Sequence, residues 1–339
     1  MALFPIIIGF TTNLSYSQVD TQNLACCRET ELTYMNGEIR LAGVLLSPIE
    51  AGEYPAAVIL QGSGNSDRSN AWTRAVAEIF VSNGVAVLLT DKRGSGQSRG
   101  DWRTSSFDDL AKDGLAGIAA LREVKGIREN QLGFIGLSQG GHVAPLAASM
   151  GNVQFVVNFV GGAVPMKSML FHELEQTYRQ HGMDNADVEY LQRMTTLSFA
   201  YIETGDGFED YLAYRDTVTE RYGAMATESW PTSVDDPYWK FWKLIYDFDP
   251  IPYWREVVDV RNIPTFVAYG ELDENDNVPV MASVQRFENE LSGAALTLRV
   301  YPETGHSLMD EALMSKHQYK FVEGLLHDLD IWIDTNITR

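Results

Sequence analysis

Residues 132–135 form a short apolar run that leads into Gly136-Leu137-Ser138-Gln139-Gly140 and then into a stretch with helical spacing. A serine hydroxyl is a weak nucleophile until a base removes its proton, so its surroundings decide its worth. Between a strand and a helix the chain must turn sharply. The residue at the apex is strained, and its neighbours must lack a Cβ, which Gly136 and Gly140 do. Ser138 would then project above the sheet edge, with the Gln139 amide at the helix start facing a developing oxyanion. Gly-x-Ser-x-Gly alone recurs by chance; between a strand and a helix it points to a nucleophile. The base must be held in one orientation by an acid. Residues 301–306, Tyr-Pro-Glu-Thr-Gly-His, place His306 immediately after an apolar run, and residues 269–273, Tyr-Gly-Glu-Leu-Asp, place Asp273 just beyond another. Asp276, three residues on in a long loop, is a rival to the favoured Asp273. Ser138, Asp273 and His306 follow the chain order Ser…Asp…His that accompanies such an elbow. His142, His172, His181, His317 and His327 lack the strand-end context and are expected to pack or face solvent.

Such residues meet only if several strands end side by side. Residues 32–35 and 39–46 alternate like strands joined at Asn36-Gly37, a strong hairpin signal. Runs at 56–60, 85–89, 132–135 and 155–160 suit strands buried on both faces, and helical patterns near 72–82, 108–123 and 139–149 separate them. That alternation predicts a mostly parallel sheet flanked by helices. The same grammar resumes at Ile263: strand 265–269, helix 279–291, strand 296–301, and a closing helix of about twenty residues from Ser307. Residues 164–262 interrupt it with mostly helical spacing. They hold 18 of the 37 aromatic residues and four of the seven tryptophans, Trp230, Trp239, Trp242 and Trp254. We read them as a helical cap inserted after the sixth strand; a second domain with its own aromatic core would have the same composition.

From about Glu31 to the C-terminus the chain resembles the α/β-hydrolase superfamily, closest to its capped esterase and serine-aminopeptidase-like branches. Besides the elbow, residues 91–98, Asp-Lys-Arg-Gly-Ser-Gly-Gln-Ser, match the family's Asp-x-Arg-Gly-x-Gly-x-Ser loop. Residues 61–64, Gln-Gly-Ser-Gly, stand where the family has its His-Gly oxyanion loop. The resemblance implies an α/β-hydrolase core at 29–163 and 263–339, a cap at 164–262, and a serine hydrolase acting through an acyl-enzyme. It also implies one oxyanion amide at Ser63 and the other at Gln139. Gln61 in place of histidine is a departure that bears on how the loop is supported. Asp91 and Arg93 are expected to shape their loop rather than to catalyse. A carboxylesterase taking substrates with an apolar or aromatic portion is the expected activity. An aminopeptidase or proline-selective peptidase is the alternative, and a binding protein that keeps the fold without the chemistry is a further one.

Composition narrows the partners. The 339 residues are 45% hydrophobic and carry 46 acidic against 26 basic side chains, a formal net charge of −20. A chain of roughly 300 residues buries about three quarters of its unfolded surface, so a core needs no metal or disulfide. The charge argues against nucleic acid, which needs clustered Lys and Arg, and against anionic membranes. Adjacent Cys26 and Cys27 would make a strained disulfide closing almost no loop. Neither zinc-type spacing nor a nucleotide-binding glycine motif occurs, so no metal or cofactor is expected. No apolar run reaches the ~18 residues of a membrane span. The first 28 residues form an extension whose apolar start and small residues near Ser17 resemble a secretory signal, but a positive n-region is missing. Export to the periplasm or outside, and a cytoplasmic location, are both left open. The acidity is uneven: 18 acidic and 9 basic groups in 164–262, and 13 and 5 in 263–339. Neutral or cationic substrates should enter more readily than anionic ones. Of two matched esters, the carboxylated one should turn over more slowly at low salt, with the gap narrowing as salt is added; equal rates at low salt would refute the charge argument.

Overall fold

The computed structural model describes residues 27–316 and 318–338; the signal-like segment, Cys26 and His317 lie outside the described residues. Eight strands form one sheet: β1 (Cys27–Asn36), β2 (Ile39–Pro48), β3 (Tyr54–Leu60), β4 (Ala86–Thr90), β5 (Ile127–Leu137), β6 (Phe155–Phe159), β7 (Thr265–Gly270) and β8 (Leu296–Tyr301). Their order is β1-β2-β4-β3-β5-β6-β7-β8. Strand β2 runs antiparallel to β1 and β4, and every other pairing is parallel. In the hairpin Asn36 still pairs with Ile39, so the turn is Gly37-Glu38, one residue later than expected, with Gly37 at φ 56.

Apolar runs make these strands because both faces of the sheet are covered. Val58, Leu88, Phe134, Val156 and Val267 point to one face, and Ala57, Val87, Ile135, Val157 and Phe266 to the other. The first face carries α2 (Phe107–Arg122) and α3 (Gln139–Met150) through Ile118, Leu121, Val143 and Leu146. The second carries α1 (Ala71–Ser82) through Val76 and Phe80.

Between β6 and β7 stand α4 (Met166–Gln180), α5 (Asn185–Thr204), α6 (Phe208–Tyr222), α7 (Pro237–Ile245) and α8 (Ile251–Arg255). Their aromatic rings meet edge to face, Tyr201 on Trp239 at 4.8 Å and Tyr211 on Trp239 at 5.2 Å. This cluster is continuous with the core on the first sheet face, so the insertion shares a core with the sheet instead of closing one of its own. After α9 (Val280–Glu290), the closing helix expected from Ser307 is replaced by two, α10 (Glu311–Met314) and α11 (Glu323–Ile333). Tertiary contact overrides helix propensity here. Leu308 and Met309 are fully buried, Met309 bridges to Phe321, and the Asp310 amide donates to the Lys320 carbonyl at 2.8 Å, so the last long helix starts only after Val322. Its Leu325, Leu329 and Trp332 then cover the second sheet face.

Candidate active site

Strand β5 ends at Leu137, α3 begins at Gln139, and Ser138 between them holds φ 53 and ψ −116. A non-glycine residue in that region costs on the order of 1–3 kcal/mol, and the surroundings must impose it. They do: the Ser138 amide donates to the Phe159 carbonyl of β6 at 2.9 Å, and its own carbonyl receives the Gly141 amide at 2.8 Å. A Cβ on Gly136 would collide with the Gly140 carbonyl, and one on Gly140 with that of Leu60. Both glycines are therefore required by close approach of backbone to backbone.

Beyond β7 the chain makes a short 3₁₀ turn, Glu271–Asn275, that buries Asp273 completely. The Asp273 carbonyl receives the Asp276 and Asn277 amides at 3.0 and 3.1 Å, which locks the turn. Beyond β8, His306 donates from Nδ1 to Asp273 Oδ2 at 2.7 Å. Asp276 instead accepts from Asn277 Nδ2 at 2.9 Å. Burial would lower the His306 pKa, but the Asp273 charge and hydrogen bond outweigh it, helped by Asp276 and Glu173, and hold the imidazole above its ordinary value. Trp72 of α1 donates from Nε1 to the Ser307 carbonyl at 2.9 Å, and its ring centroid lies 6.0 Å from that of His306. It braces the histidine loop.

The loop after β3 lies against the elbow, since a Cβ on Gly62 would sit 3.6 Å from the Ser138 Cβ. Gln61 supports that loop in place of a histidine. Its Nε2 donates to the Thr90 carbonyl at 2.7 Å, and its Oε1 accepts from Ser66 Oγ at 2.9 Å and Thr73 Oγ1 at 3.0 Å. Lys92, in the loop after β4, donates from Nζ to the Gly62 carbonyl at 2.9 Å and to Gln139 Oε1 at 2.7 Å. Its neighbours are spent on scaffolding. Asp91 accepts from Arg68 Nε and Nη2 at 2.9 and 2.8 Å, and Arg93 forks onto Asp113 at 2.6 and 2.7 Å.

Ser63, Ser138, Gln139 and His306 line one cavity of about 450 Å³, closed from the insertion by Met166, Met169, Leu170, Glu173 and Trp242. Burial, opposed by His306 and reinforced by Asp276 and Asp273, pushes the Glu173 carboxyl up to about 7. His142, one helical turn after Ser138, is buried in the same wall against Phe107. Burial pulls it down to about 4, so it stays neutral near pH 7. A second space, about 710 Å³ and lined by Trp102, Trp230, Tyr238 and Phe241, shares the Leu170 and Trp242 walls. Among the described residues no group of three or more His, Cys, Asp or Glu could hold a metal, and no helix is long and apolar enough to cross a membrane.

Sequence reasoning did not single out Trp72, Lys92 or Glu173. Glu173 had a signal: it falls on the apolar stripe of α4 formed by Met166, Met169 and Leu170, where a carboxylate is out of place. Lys92 had a weaker one, a charged residue directly after a buried strand. Trp72 had none.

A mostly parallel sheet, a serine on a strained strand-to-helix turn and a buried His–Asp pair at neighbouring strand ends together define an α/β hydrolase. The profile of the X-Pro dipeptidyl-peptidase (S15) family matches residues 36–299, and the chain belongs to that family. A Synechocystis sp. protein named as a carboxymethylenebutenolidase is 26% identical over 151 residues, 41% of this chain and 61% of its own length. The chain thus spans less than two thirds of that curated relative. Among solved structures, the α/β hydrolase GrgF of Penicillium sp. sh18 superposes with a TM-score of 0.58 at 17% identity, covering 92% of this chain and 99% of that one. An esterase of Pyrococcus furiosus does so with a TM-score of 0.56 at 15% identity, covering 99% and 98%. At such identities these likenesses are likenesses of fold.

Proposed function

We propose that the protein hydrolyses carboxylic esters through an acyl-enzyme on Ser138. The observation that carries this is that His306, paired with buried Asp273 at 2.7 Å, lines the same cavity as the elbow serine. With Nδ1 engaged by Asp273, Nε2 is the nitrogen left to take the Ser138 proton as Oγ attacks the ester carbonyl. The Ser63 and Gln139 amides receive the developing oxyanion, each worth about 3–4 kcal/mol in such sites. His306 then gives the proton to the leaving alcohol, and water attacks the acyl group to release the acid. The aromatic space beside the cavity suits an apolar or aromatic portion of the substrate. A fluorophosphonate probe should label Ser138, because only an activated serine reacts; an unlabelled, folded protein would refute the reading and favour a binding role.

A second reading, hydrolysis of peptides with a free amino terminus, is favoured by Glu173 and by the family. An ammonium group would need an ionised carboxylate within the cavity, and Glu173 is placed to supply it. Its raised pKa sets the sign. Below about pH 7 the carboxyl is protonated and a poor partner for a cation, and above it the carboxylate forms. Cleavage of aminoacyl-naphthylamides relative to neutral esters should therefore rise as pH approaches and passes 7 and fall again as the substrate's α-amine loses its proton near about 8, and Glu173→Gln should flatten that rise. If the ratio stays flat in the unaltered protein, the peptide reading loses its support and the ester reading stands.

A further inference from the structure

Lys92 is 7% exposed, and among the described residues no carboxylate offsets the burial of its amine. Such burial is unfavourable for a cation and pulls its pKa down to about 7. Methionine or leucine would fill the same space without that penalty, so the amine must be supported by what it holds. Nζ holds two things: the Gly62 carbonyl at 2.9 Å and Gln139 Oε1 at 2.7 Å. Trp102 covers it, with the ring centroid 5.3 Å from Nζ.

The Gly62 carbonyl and the Ser63 amide are the two ends of one peptide group. That group is trans, as are all the others described. In a planar trans peptide the C=O and N–H point in opposite directions, so a donor fixed on the carbonyl fixes where the amide points. A hydrogen bond to the carbonyl also polarises the peptide and makes its N–H a stronger donor. Gln139, the other residue that Nζ holds, bears the second amide assigned to the oxyanion.

We infer that Lys92 is a positioning residue for the oxyanion site, clamping the Gly62–Ser63 peptide to the Gln139 side chain so that both amides converge on the carbonyl oxygen of the substrate. It acts from behind the loop and does not touch the reacting atoms. A neutral amine has two N–H groups for the two acceptors, so the clamp holds whether or not the lysine is protonated. The inference rests on the ester reading above.

The test is Lys92→Met, close to lysine in shape but without the donor, assayed with p-nitrophenyl butyrate and an alkylboronic acid that mimics the tetrahedral state. We expect kcat to fall about 10- to 100-fold with KM within about threefold, because the oxyanion forms only in the transition state. The boronate Ki should weaken by the same factor as kcat, and Tm should stay within a few degrees. Lys92→Gln, which keeps a shorter donor, should fall between. A folded Lys92→Met protein with kcat and boronate affinity within threefold of the unaltered protein would overturn the clamp and leave the ester reading intact. If Lys92→Met does not fold, Lys92→Gln decides: a matched loss of kcat and boronate affinity supports the clamp, and none overturns it. Turnover that survives Ser138→Ala would sink the ester reading and the clamp together.

Discussion

Ser138→Ala is expected to lower turnover of p-nitrophenyl butyrate at least about 10⁴-fold while the protein remains folded. The loss is large because Ser63, the other serine lining the cavity, lies on the loop after β3 and not on the strained strand-to-helix turn, so what remains is the catalysis left to the oxyanion donors and binding alone. The fold should survive because Ser138 makes no side-chain capping bond to α3 and its backbone contacts do not depend on Oγ. The same position offers a second measurement. At φ 53 any residue with a Cβ is strained, so Ser138→Gly should be inactive yet more stable than the unaltered protein, by about 1 kcal/mol in urea unfolding. An alanine variant retaining a tenth of the activity would refute the nucleophile; a glycine variant that is less stable would refute the strain.

The second large effect is expected at Asp273. Asp273→Asn should reduce kcat/KM by about 10⁴-fold, since a neutral amide beside Nδ1 favours the wrong tautomer of His306 and no longer stabilises the imidazolium. Asp276→Asn should cost less than about tenfold, because Asp276 bonds Asn277 and reaches His306 only through its charge. The pH profile separates the two further. His306 must be neutral to accept a proton, so activity is lost as pH falls through its raised pKa. Removing Asp273 leaves burial, which lowers that pKa, and the acid limb should move down. Asp276→Asn should move it in the same direction by less. If Asp276→Asn is the inactive variant and Asp273→Asn the active one, the pairing seen between His306 and Asp273 is not the one used in catalysis.

The strained turn at Ser138 and the strand-end position of His306 were legible because their signals are local. The Gly136 and Gly140 pattern around Ser138 reflects one turn whose steric demands lie within five residues, and His306 stands directly after a strand that the apolar run 296–301 announces. The sheet was legible for the same reason, since strands buried on both faces leave continuous apolar runs and helices leave stripes. Where local signals competed, the sequence ranked the candidates, Asp273 ahead of Asp276, without deciding between them. Asp273 and Asp276 both follow β7, and only the 3₁₀ turn that buries one and leaves the other beside Asn277 separates them. The spacing after Ser307 is helical, yet burial of Leu308 and Met309 breaks it.

What the amino-acid sequence by itself determined was the fold class, the strand-to-helix turn at Ser138 and the order of the candidate catalytic residues, because each is written in a few neighbouring positions. Tertiary structure decided the support: Trp72 on the Ser307 carbonyl across 235 positions, Lys92 between Gly62 and Gln139, Gln61 under the loop after β3, and Glu173 brought from the insertion to the cavity wall. Those contacts join segments that meet only when the sheet brings its strand ends together. Their strength comes from burial and distance, neither of which has a local signature in the chain.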